Sequence, residues 1–332
     1  MTIEHVLPRD AIPSIDDPAF GDEYDGNDDD EVLVVDGDPP RAYPLRILCG
    51  HEIVNDVLGR APRIGRSSRE RGDVDAPGAE ERPIAVTWCP ICWSTAVYDR
   101  RVDGRTLTFG VSGKLADDAL LMYDRETGSE WKQPTGRAVS GELADASLES
   151  VAAPITSWGR FEREHPDGIV LQPVRSGDGD GPFDERYDVE RYERYAAGEG
   201  FGLHAIRGEG TPRSWDRDDL DAKTVVLGVE LGGEAVGYPI PRVEAAGGVV
   251  TDTVGGTDVV VCTADDGIHA FEDPGLAYEH RDGVLVAGGT TWDPTTGESA
   301  DGRRLARVPG RRLFAFSWQD AYGPDAFYSP GT

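Results

Sequence analysis

The segment Cys89-Pro90-Ile91-Cys92 is the part of this sequence whose residue types and spacing best suit chemistry. Two cysteines separated by two residues can bring their sulfur atoms together, and core packing does not require such paired spacing. The β-like runs PIAVTW and STAVYD flank the segment, so it is predicted to be the turn of a β-hairpin. Thioredoxin-like pairs differ, because they begin a helix whose dipole lowers the pKa of the first thiol.

The first hypothesis for this turn is a soft-metal site. Two thiolates on a hairpin turn can bind zinc or copper, but a tetrahedral site needs two further ligands. No second Cys-x-x-Cys and no His-x-x-His segment supplies them. The candidates for the further ligands are His51, Asp124, Cys49 and Cys262. The favoured set is Cys89, Cys92, His51 and Asp124, in a binding or catalytic role.

Two other hypotheses need no metal. In a thiol enzyme or redox protein, Cys89 or Cys92 would be the nucleophile and His51 the base, with Asp56 or Glu52 orienting it. In a structural or ligand-binding module, the turn would only staple the fold. Cys49 and Cys262 also fit an interpretation as small buried hydrophobic residues. Asp124 fits a turn-forming role, completed by Thr127-Gly128.

Short anchor sequences occur twice along the chain in the same order, which indicates a diverged duplication. The pairs are Tyr43-Pro44 with Tyr238-Pro239, Val54-x-Asp56-x-x-Gly59 with Val250-x-Asp252-x-x-Gly255, 86–99 with 259–272, Asp103-Gly104 with Asp282-Gly283, Asp124-x-x-Thr127-Gly128 with Asp293-x-x-Thr296-Gly297, and Ser157-Trp158 with Ser317-Trp318. In an alignment without gaps, Cys89 pairs with Cys262, whereas His51 faces Gly247 and Cys92 faces Asp265. Because the second copy lacks these two reactive residues, the chemistry is predicted to lie in the first copy.

The predicted fold class is mainly β, a β-rich α+β fold. Two degenerate repeats of short antiparallel strands, with a few helices, would be related by a pseudo-two-fold axis. The predicted domains are an acidic arm (1–30), a first repeat (31–175), a connector with a polar helix (176–222) and a second repeat (223–332). Helices are predicted at 156–165 and 184–197, a surface insertion at 60–82, and a strand at the apolar run LFAFSW.

The charge balance indicates adaptation to salt. The chain of 332 residues has 62 acidic and 33 basic residues, a formal net charge of −29. At molar salt the Debye length is about 3 Å, which screens the resulting repulsion. A lysine-poor, acidic chain of this kind is typical of a salt-in halophile and favours an archaeal source. Nucleic acid is a disfavoured partner, because its phosphates would be repelled. A small molecule or metal ion is expected instead, and the oligomeric state stays open.

The sequence predicts a cytoplasmic protein with reduced thiols. No apolar run approaches the ~20 residues of a membrane-spanning helix, and the first residues lack the pattern of a secretory signal. Four cysteines are too few for a disulfide scaffold in a chain of this length.

Several of these segments resemble one protein family. The runs AYPLRILCGHEIVNDVLG, PIAVTWCPICWSTAVYDR, LTFGVSG and LLMYDRETGSEW are similar to domain-of-unknown-function family 3179 (DUF3179). The resemblance implies a Cys-Pro-x-Cys site flanked by residues 51–56, and it implies no activity. Where relatives usually have glycine after the second cysteine, this chain has Trp93. A bulky residue is not expected to take positive φ, so the turn is expected to be altered.

Overall fold

The computed structural model describes residues 1–60, 63–64, 80–174, 187, 189–208 and 212–330. The chain divides into two compact units, Met1–Pro212 and Arg213–Thr332. These are called unit 1 and unit 2 below. Most of the predicted surface insertion at 60–82 lies outside the described residues. The boundaries predicted for the two repeats, the arm and the connector stay predictions.

Unit 1 contains seventeen short strands and four helices among its described residues. The strands are β1 (Ile3–His5), β2 (Ala19–Gly21), β3 (Glu31–Val35), β4 (Arg41–Pro44), β5 (Ile53–Leu58), β6 (Arg63–Ile64), β7 (Arg82–Cys89), β8 (Ser94–Asp99), β9 (Arg101–Val102), β10 (Arg105–Thr106), β11 (Phe109–Ala116), β12 (Ala119–Asp124), β13 (Glu130–Lys132), β14 (Arg137–Ser140), β15 (Ser150–Val151), β16 (Ile155–Ser157) and β17 (Ile169–Leu171). The helices are α1 (Leu45–His51), α2 (Trp158–Glu164), α3 (Glu190–Ala197) and α4 (Gly202–Arg207).

Unit 2 contains nine strands and two helices in its described part. The strands are β18 (Val225–Leu231), β19 (Glu234–Pro239), β20 (Val249–Val254), β21 (Thr257–Ala264), β22 (Gly267–Glu272), β23 (Glu279–Arg281), β24 (Val284–Ala287), β25 (Thr290–Trp292) and β26 (Gly310–Phe314). The helices are α5 (Ile240–Ala245) and α6 (Ala315–Tyr322).

The strands form several small sheets, and the predicted mainly β class is confirmed. In unit 1 the sheet orders are β1-β11-β12-β13-β14, β15-β8-β7-β5, β16-β3-β4-β17-β2-β6 and the ribbon β10-β9. In unit 2 they are β19-β18-β26, β20-β21-β22 and β23-β24-β25. Pairing is antiparallel apart from β17 with β4 and β2 with β6. No described helix has the length and apolar character needed to cross a lipid bilayer.

The sheet β15-β8-β7-β5 positions the cysteine turn. From Pro83 to Cys89 strand β7 is buried without interruption, and every residue of β8 is buried. Continuous burial means that both faces of this sheet are covered, which explains why these strands lack an alternating polar pattern. Val54, Val86 and Val97 lie in the main core of the unit. The cysteine turn therefore extends from a rigid, fully packed support.

Three helices test the sequence predictions. Helix α2 lies within the helix predicted at 156–165, and the Ser157 side chain caps it by accepting from the Arg160 amide. Helix α3 lies within the predicted segment 184–197. The strand predicted at LFAFSW is wrong in its last four residues, because β26 ends at Phe314 and α6 begins at Ala315. A short apolar run does not distinguish a strand from a buried helix.

Both units contain the same succession of elements. The order β4–α1–β5–β7–β8 in unit 1 corresponds to β19–α5–β20–β21–β22 in unit 2, apart from the additional strand β6. In each unit a tyrosine hydroxyl donates to an aspartate: Tyr43 to Asp56 at 2.5 Å and Tyr238 to Asp252 at 2.9 Å. The Tyr-Pro anchor and the Val-x-Asp anchor therefore form the same tyrosine–aspartate hydrogen bond in both units. The pseudo-two-fold relation itself stays a prediction.

The strand registers correct the gapless alignment of the two hairpins. Asp56 pairs with Ile84 and Asp252 pairs with Val259, so these positions are equivalent. Counting along β7 and β21 from these pairs makes Cys89 equivalent to Ala264, and Cys262 to Thr87. The predicted pairing of Cys89 with Cys262 is therefore wrong in register. The unit 1 turn is also two residues longer.

Candidate functional site

The cysteine turn joins two directly paired strand ends. Cys89 pairs with Ser94, which leaves the four residues from Pro90 to Trp93 as the turn. Trp93 takes a φ of 55°, contrary to the expectation that a bulky residue would avoid positive φ. Its ring lies edge-on against Trp88, with centroids 5.1 Å apart. This aromatic contact offsets part of the backbone strain, which is of order 1–3 kcal/mol for such a residue.

The two thiols are buried and lie next to each other. Cys89 is 1% exposed, Cys92 is fully buried, and neither forms a disulfide. Burial alone raises the pKa of the Cys89 thiol, but hydrogen bonds from the Cys92 thiol and from backbone N–H groups of Cys92, Leu120 and Ile91 outweigh it. The net effect lowers the pKa of Cys89 below the ordinary value of a cysteine. The Cys89 thiol therefore loses its proton at a lower pH than an ordinary buried cysteine does.

Glu52 is the carboxyl group beside Cys89. It follows α1, and its carbonyl accepts the Trp88 amide at 2.8 Å, which aligns it with the end of β7. The residue is 8% exposed. Burial, together with the nearby charge of Cys89, raises its pKa from 4.5 to about 8. Within the described part of the chain, the Glu52 carboxyl makes no hydrogen bond and no ion pair.

The backbone at Glu52 is held in the left-handed region, with φ at 60°. The equivalent position in unit 2 by strand register is Gly248, where φ is 82°. Glycine adopts positive φ without steric cost, whereas a residue with a Cβ is strained there. Unit 1 therefore tolerates strain at the position that presents a carboxyl group to Cys89. Such strain is frequent at functional sites.

An apolar pocket lies against this carboxyl group. It has a volume of about 90 Å³, and Glu52, Pro90 and Ile91 form part of its wall. The rest of the wall is mostly aliphatic and comes from the N-terminal segment, the β11–β12 hairpin and helices α3 and α4. Leu120 lines the pocket and also donates its amide to the Cys89 thiol. The thiol pair thus lies directly behind the pocket wall.

Tyr195 on α3 links the turn to the helices that border the pocket. Its hydroxyl donates to the Ile91 carbonyl at 2.7 Å and accepts the Gly202 amide at 3.0 Å. Both bonds are shielded from water, since Tyr195 is buried. The side chain therefore fixes the middle of the cysteine turn relative to the start of α4.

His51, predicted as base and metal ligand, has both ring nitrogens engaged elsewhere. Its Nδ1 lies 2.7 Å from the Pro13 carbonyl, and its Nε2 lies 2.9 Å from the Tyr187 hydroxyl. Because a carbonyl only accepts, Nδ1 carries a proton and Nε2 interacts with the tyrosine. This arrangement suits a buried structural histidine that ties the N-terminal segment to α1.

Asp56, predicted as an orienting catalytic residue, lies in a buried ion pair. Its carboxylate contacts Arg41 Nη1 at 2.5 Å and accepts from the Tyr43 hydroxyl and the Val57 amide. Arg41 also donates to the carbonyls of Val57 and Arg60. All charges in this group are compensated locally, so the contacts describe a structural role.

Asp124, predicted as a metal ligand, forms the turn after β12. It accepts from the Thr127 amide at 2.6 Å and from the Trp131 indole at 2.9 Å. The corresponding Asp293 accepts the Thr296 amide at 3.0 Å. The turn-forming interpretation is thus confirmed for both copies.

The remaining cysteines are far less acidic than Cys89. Burial raises the pKa of Cys49 and of Cys262 to about 12 each. Cys262 lies in an apolar cluster with Phe271 and Trp292. Among the residues that the structure describes, no three side chains of His, Cys, Asp or Glu converge to hold a metal ion. The predicted four-ligand metal set is therefore not supported.

The structure brings together Cys89, Cys92 and Glu52, with Tyr195 and the pocket beside them. Sequence reasoning named Glu52 only as an alternative orienting residue, and it missed Tyr195 and the pocket. One signal could have identified Glu52. The duplication aligns it with Gly248. A glutamate in place of a turn glycine indicates that the position is kept for its carboxyl group despite backbone strain.

Comparison with known proteins shows the family. The sequence model described as "Protein of unknown function (DUF3179)" matches residues 9–64 and 78–326, so the chain belongs to this family. No curated protein and no solved structure is significantly similar to it.

Proposed function

For this member of the DUF3179 family, we propose that unit 1 is a thiol-dependent catalytic site in which Cys89 is the nucleophile. Cys92 is the resolving thiol, and Glu52 exchanges a proton with Cys89. The observation that carries the proposal is the Glu52 carboxyl group. It is buried, has no hydrogen-bond partner among the described residues, interacts electrostatically with Cys89 and forms part of the wall of an apolar pocket.

The shifts of pKa at the two groups support this division of roles. The pKa of Glu52 is raised to about 8 and that of Cys89 is lowered. When Glu52 and Cys89 hold one proton between them, that proton resides on the Glu52 carboxyl group for a larger fraction of the time than it would in water. Cys89 then carries thiolate character near neutral pH, and the protonated Glu52 can act as an acid.

The reaction that fits two adjacent thiols is exchange with a small disulfide. The Cys89 thiolate attacks one sulfur of the substrate, the substrate S–S bond breaks, and Glu52 protonates the departing thiolate. Cys92 then loses its proton to Glu52 and attacks the Cys89 sulfur. The second substrate thiolate leaves and takes up that proton. The substrate disulfide is reduced to two thiols, and Cys89 and Cys92 are oxidised to a disulfide.

Access to the thiols runs through the pocket. Both cysteines are buried and neither is part of the pocket wall, to which Pro90, Ile91 and Glu52 contribute. A substrate therefore reaches Cys89 when the side chains of this wall shift. Small substrates need the smallest shift, so the site favours them over protein disulfides.

The test is exchange of the full chain with 2-hydroxyethyl disulfide at neutral pH, followed by mass spectrometry. The wild type should lose two hydrogens as the Cys89–Cys92 disulfide forms, and Cys92→Ser should retain a mixed disulfide on Cys89. Glu52→Gln should slow the exchange by about 10²-fold or more. Glu162→Gln, at an exposed position on α2, is the matched control and should have no effect on the rate of exchange. Native protein whose thiols stay unmodified, while denatured protein reacts, would refute the proposal.

The adjacent thiols also favour a second candidate, the binding of a soft metal ion. Thiolate ligands select copper(I) and zinc, and the Cys92 thiol lies within hydrogen-bonding reach of Cys89. Titration of the reduced chain with Cu(I) and with Zn(II) tests this candidate. Stoichiometric binding that Cys89→Ser abolishes would support it, and failure to bind either ion would rule it out.

We further propose that the protein works in the cytoplasm of a salt-in halophile. A formal net charge of −29 supports this setting, because the repulsion is largely screened only at high ionic strength. Equilibrium unfolding in 0.1 M and in about 3 M KCl provides the test. A midpoint that does not rise with salt would contradict the proposal.

A further inference from the structure

The charges around the pocket are the reverse of those in the whole chain. The ionisable side chains on its wall, apart from Tyr192, are the basic Lys114, Arg191 and Arg207 and the acidic Glu52. The chain as a whole has 62 acidic and 33 basic residues. Positive charge concentrated on one concave surface of so acidic a protein indicates that this surface binds an anion.

Two of the three basic groups are available to a ligand. Lys114 is already paired with Glu130 at 2.5 Å. Arg191 donates one hydrogen bond to the Tyr192 hydroxyl at 3.1 Å, with its guanidinium 4.8 Å from the ring centroid, and Arg207 is exposed at the end of α4. Among the described residues, neither arginine is paired with a carboxylate. Both guanidinium groups therefore lie at the rim with unused donors that suit a planar anion.

The interior of the pocket requires the opposite chemistry. Its walls are aliphatic, formed by Leu7, Ile12, Val111, Leu120, Leu203 and Ile206. A volume of about 90 Å³ is smaller than the ~150 Å³ of an engineered cavity that accommodates benzene. The space therefore suits a short, slender apolar chain. Glu52, which interacts electrostatically with Cys89, is part of the same wall.

We propose that the pocket binds a small amphipathic anion, with its short aliphatic chain inside and its carboxylate held by Arg191 and Arg207 at the rim. The inference rests on the proposed function in one respect, since it assigns this anion as the substrate class of the thiol site. The end of the chain remote from the carboxylate then carries the sulfur that meets Cys89.

The test separates binding from chemistry by using an unreactive probe. Binding of hexanoate, 1-hexanol and hexylammonium to the full chain is measured by ligand-observed NMR at one fixed salt concentration. Hexanoate should bind about tenfold or more tightly than 1-hexanol, and hexylammonium should bind most weakly. The double variant Arg191→Gln/Arg207→Gln should remove the preference for hexanoate. Arg194→Gln is the matched control, because Arg194 lies on the same helix but is absent from the pocket wall.

Each outcome decides one proposal. Equal binding of hexanoate and 1-hexanol, or a preference that survives the double variant, overturns the assignment of an anionic substrate. Hexanoate binding that persists in Cys89→Ser supports the pocket independently of thiol chemistry. If hexanoate binds as expected and the wild-type thiols are inert toward 2-hydroxyethyl disulfide, the anion site stands and the catalytic role of Cys89 falls.

Discussion

The hairpin β7–β8 of unit 1 and the hairpin β21–β22 of unit 2 have the same supports and different tips. Each is paired with a strand whose aspartate accepts from a Tyr-Pro tyrosine. The first hairpin turns through four residues and contains two thiols, whereas the second turns through Asp265 and Asp266 alone. The turn that holds the thiol pair thus differs from the plain turn by two additional residues and by Cys89 in place of Ala264.

The loop preceding each hairpin differs in the same direction. Unit 2 has Gly247 and Gly248 where unit 1 has His51 and Glu52, at equivalent positions by register. The two glycines adopt positive φ without steric strain. Glu52 adopts positive φ with strain and places a carboxyl group beside Cys89. Unit 1 therefore has a strained residue, Glu52, on its pocket wall at a position where unit 2 has glycine. Four predictions test whether this difference is functional.

The largest effect is expected from replacing the two comparable cysteines. Cys89→Ser should reduce the rate of native-state alkylation by iodoacetamide at the turn by at least ~10³-fold, because the activated thiolate is lost. Cys262→Ser should leave that rate unchanged, since burial raises the pKa of Cys262 to about 12. Peptide mapping of the alkylated sites provides the measurement. Equal native reactivity of Cys89 and Cys262 would remove the distinction between the hairpins.

The next effect concerns the two aspartates that accept from tyrosine. Asp56→Asn leaves the buried Arg41 without a counter-charge and should lower the free energy of unfolding of unit 1 by about 3–5 kcal/mol. Asp252→Asn keeps an acceptor for Tyr238 and should cost only about 0.5–1.5 kcal/mol. Chemical denaturation of both variants provides the comparison. Equal losses of the free energy of unfolding would show that the Arg41–Asp56 ion pair does not stabilise unit 1.

A smaller effect is expected in the pH dependence of stability. The pKa of Glu52 is raised from 4.5 to about 8 by burial and by the facing Cys89. The folded state binds this proton more tightly, so its stabilisation is complete below about pH 4.5 and is lost as the pH rises through 8. The pKa of Cys89 is shifted downward, and burial raises the pKa of Tyr192 to about 12. Denaturation between pH 5 and 9 should show a decline in wild type that Glu52→Gln flattens, whereas parallel profiles would contradict the assigned shift.

The smallest effect exchanges the residues at the strained position. Glu52→Gly should stabilise unit 1 by about 1 kcal/mol, because glycine accepts a φ of 60° and no carboxyl group is then buried. Gly248→Ala should destabilise unit 2 by a similar amount. Thermal unfolding measures both changes. A Glu52→Gly variant that is less stable than wild type would show that Glu52 stabilises the fold.

The sequence predicted the strands of the cysteine hairpin almost residue by residue. STAVYD coincides with β8, and PIAVTW lies within β7. It also predicted the Asp124 turn, since Asp-x-x-Thr-Gly specifies local hydrogen bonds. The short helices α1 and α5, each beginning after a Tyr-Pro pair, were missed because six or seven residues are too few to show a helical period.

The candidate site was located by the sequence only in part. Cys89 and Cys92 were identified because their spacing is local. His51 and Asp56 were assigned to chemistry because they are reactive residue types near the turn, but their side chains bond to Pro13 and to Arg41. Those contacts join segments separated along the chain, and no local pattern encodes them.

The class of fold, the hairpin and its pair of thiols follow from the sequence, because turn chemistry and strand pattern act between neighbours in the chain. Tertiary packing sets the rest: Glu52, and not His51, interacts with Cys89, the turn is two residues longer than its counterpart, and Arg191 and Arg207 border the pocket. The physical reason is the same in each case. Register, burial and shifts of pKa depend on which distant segments pack together.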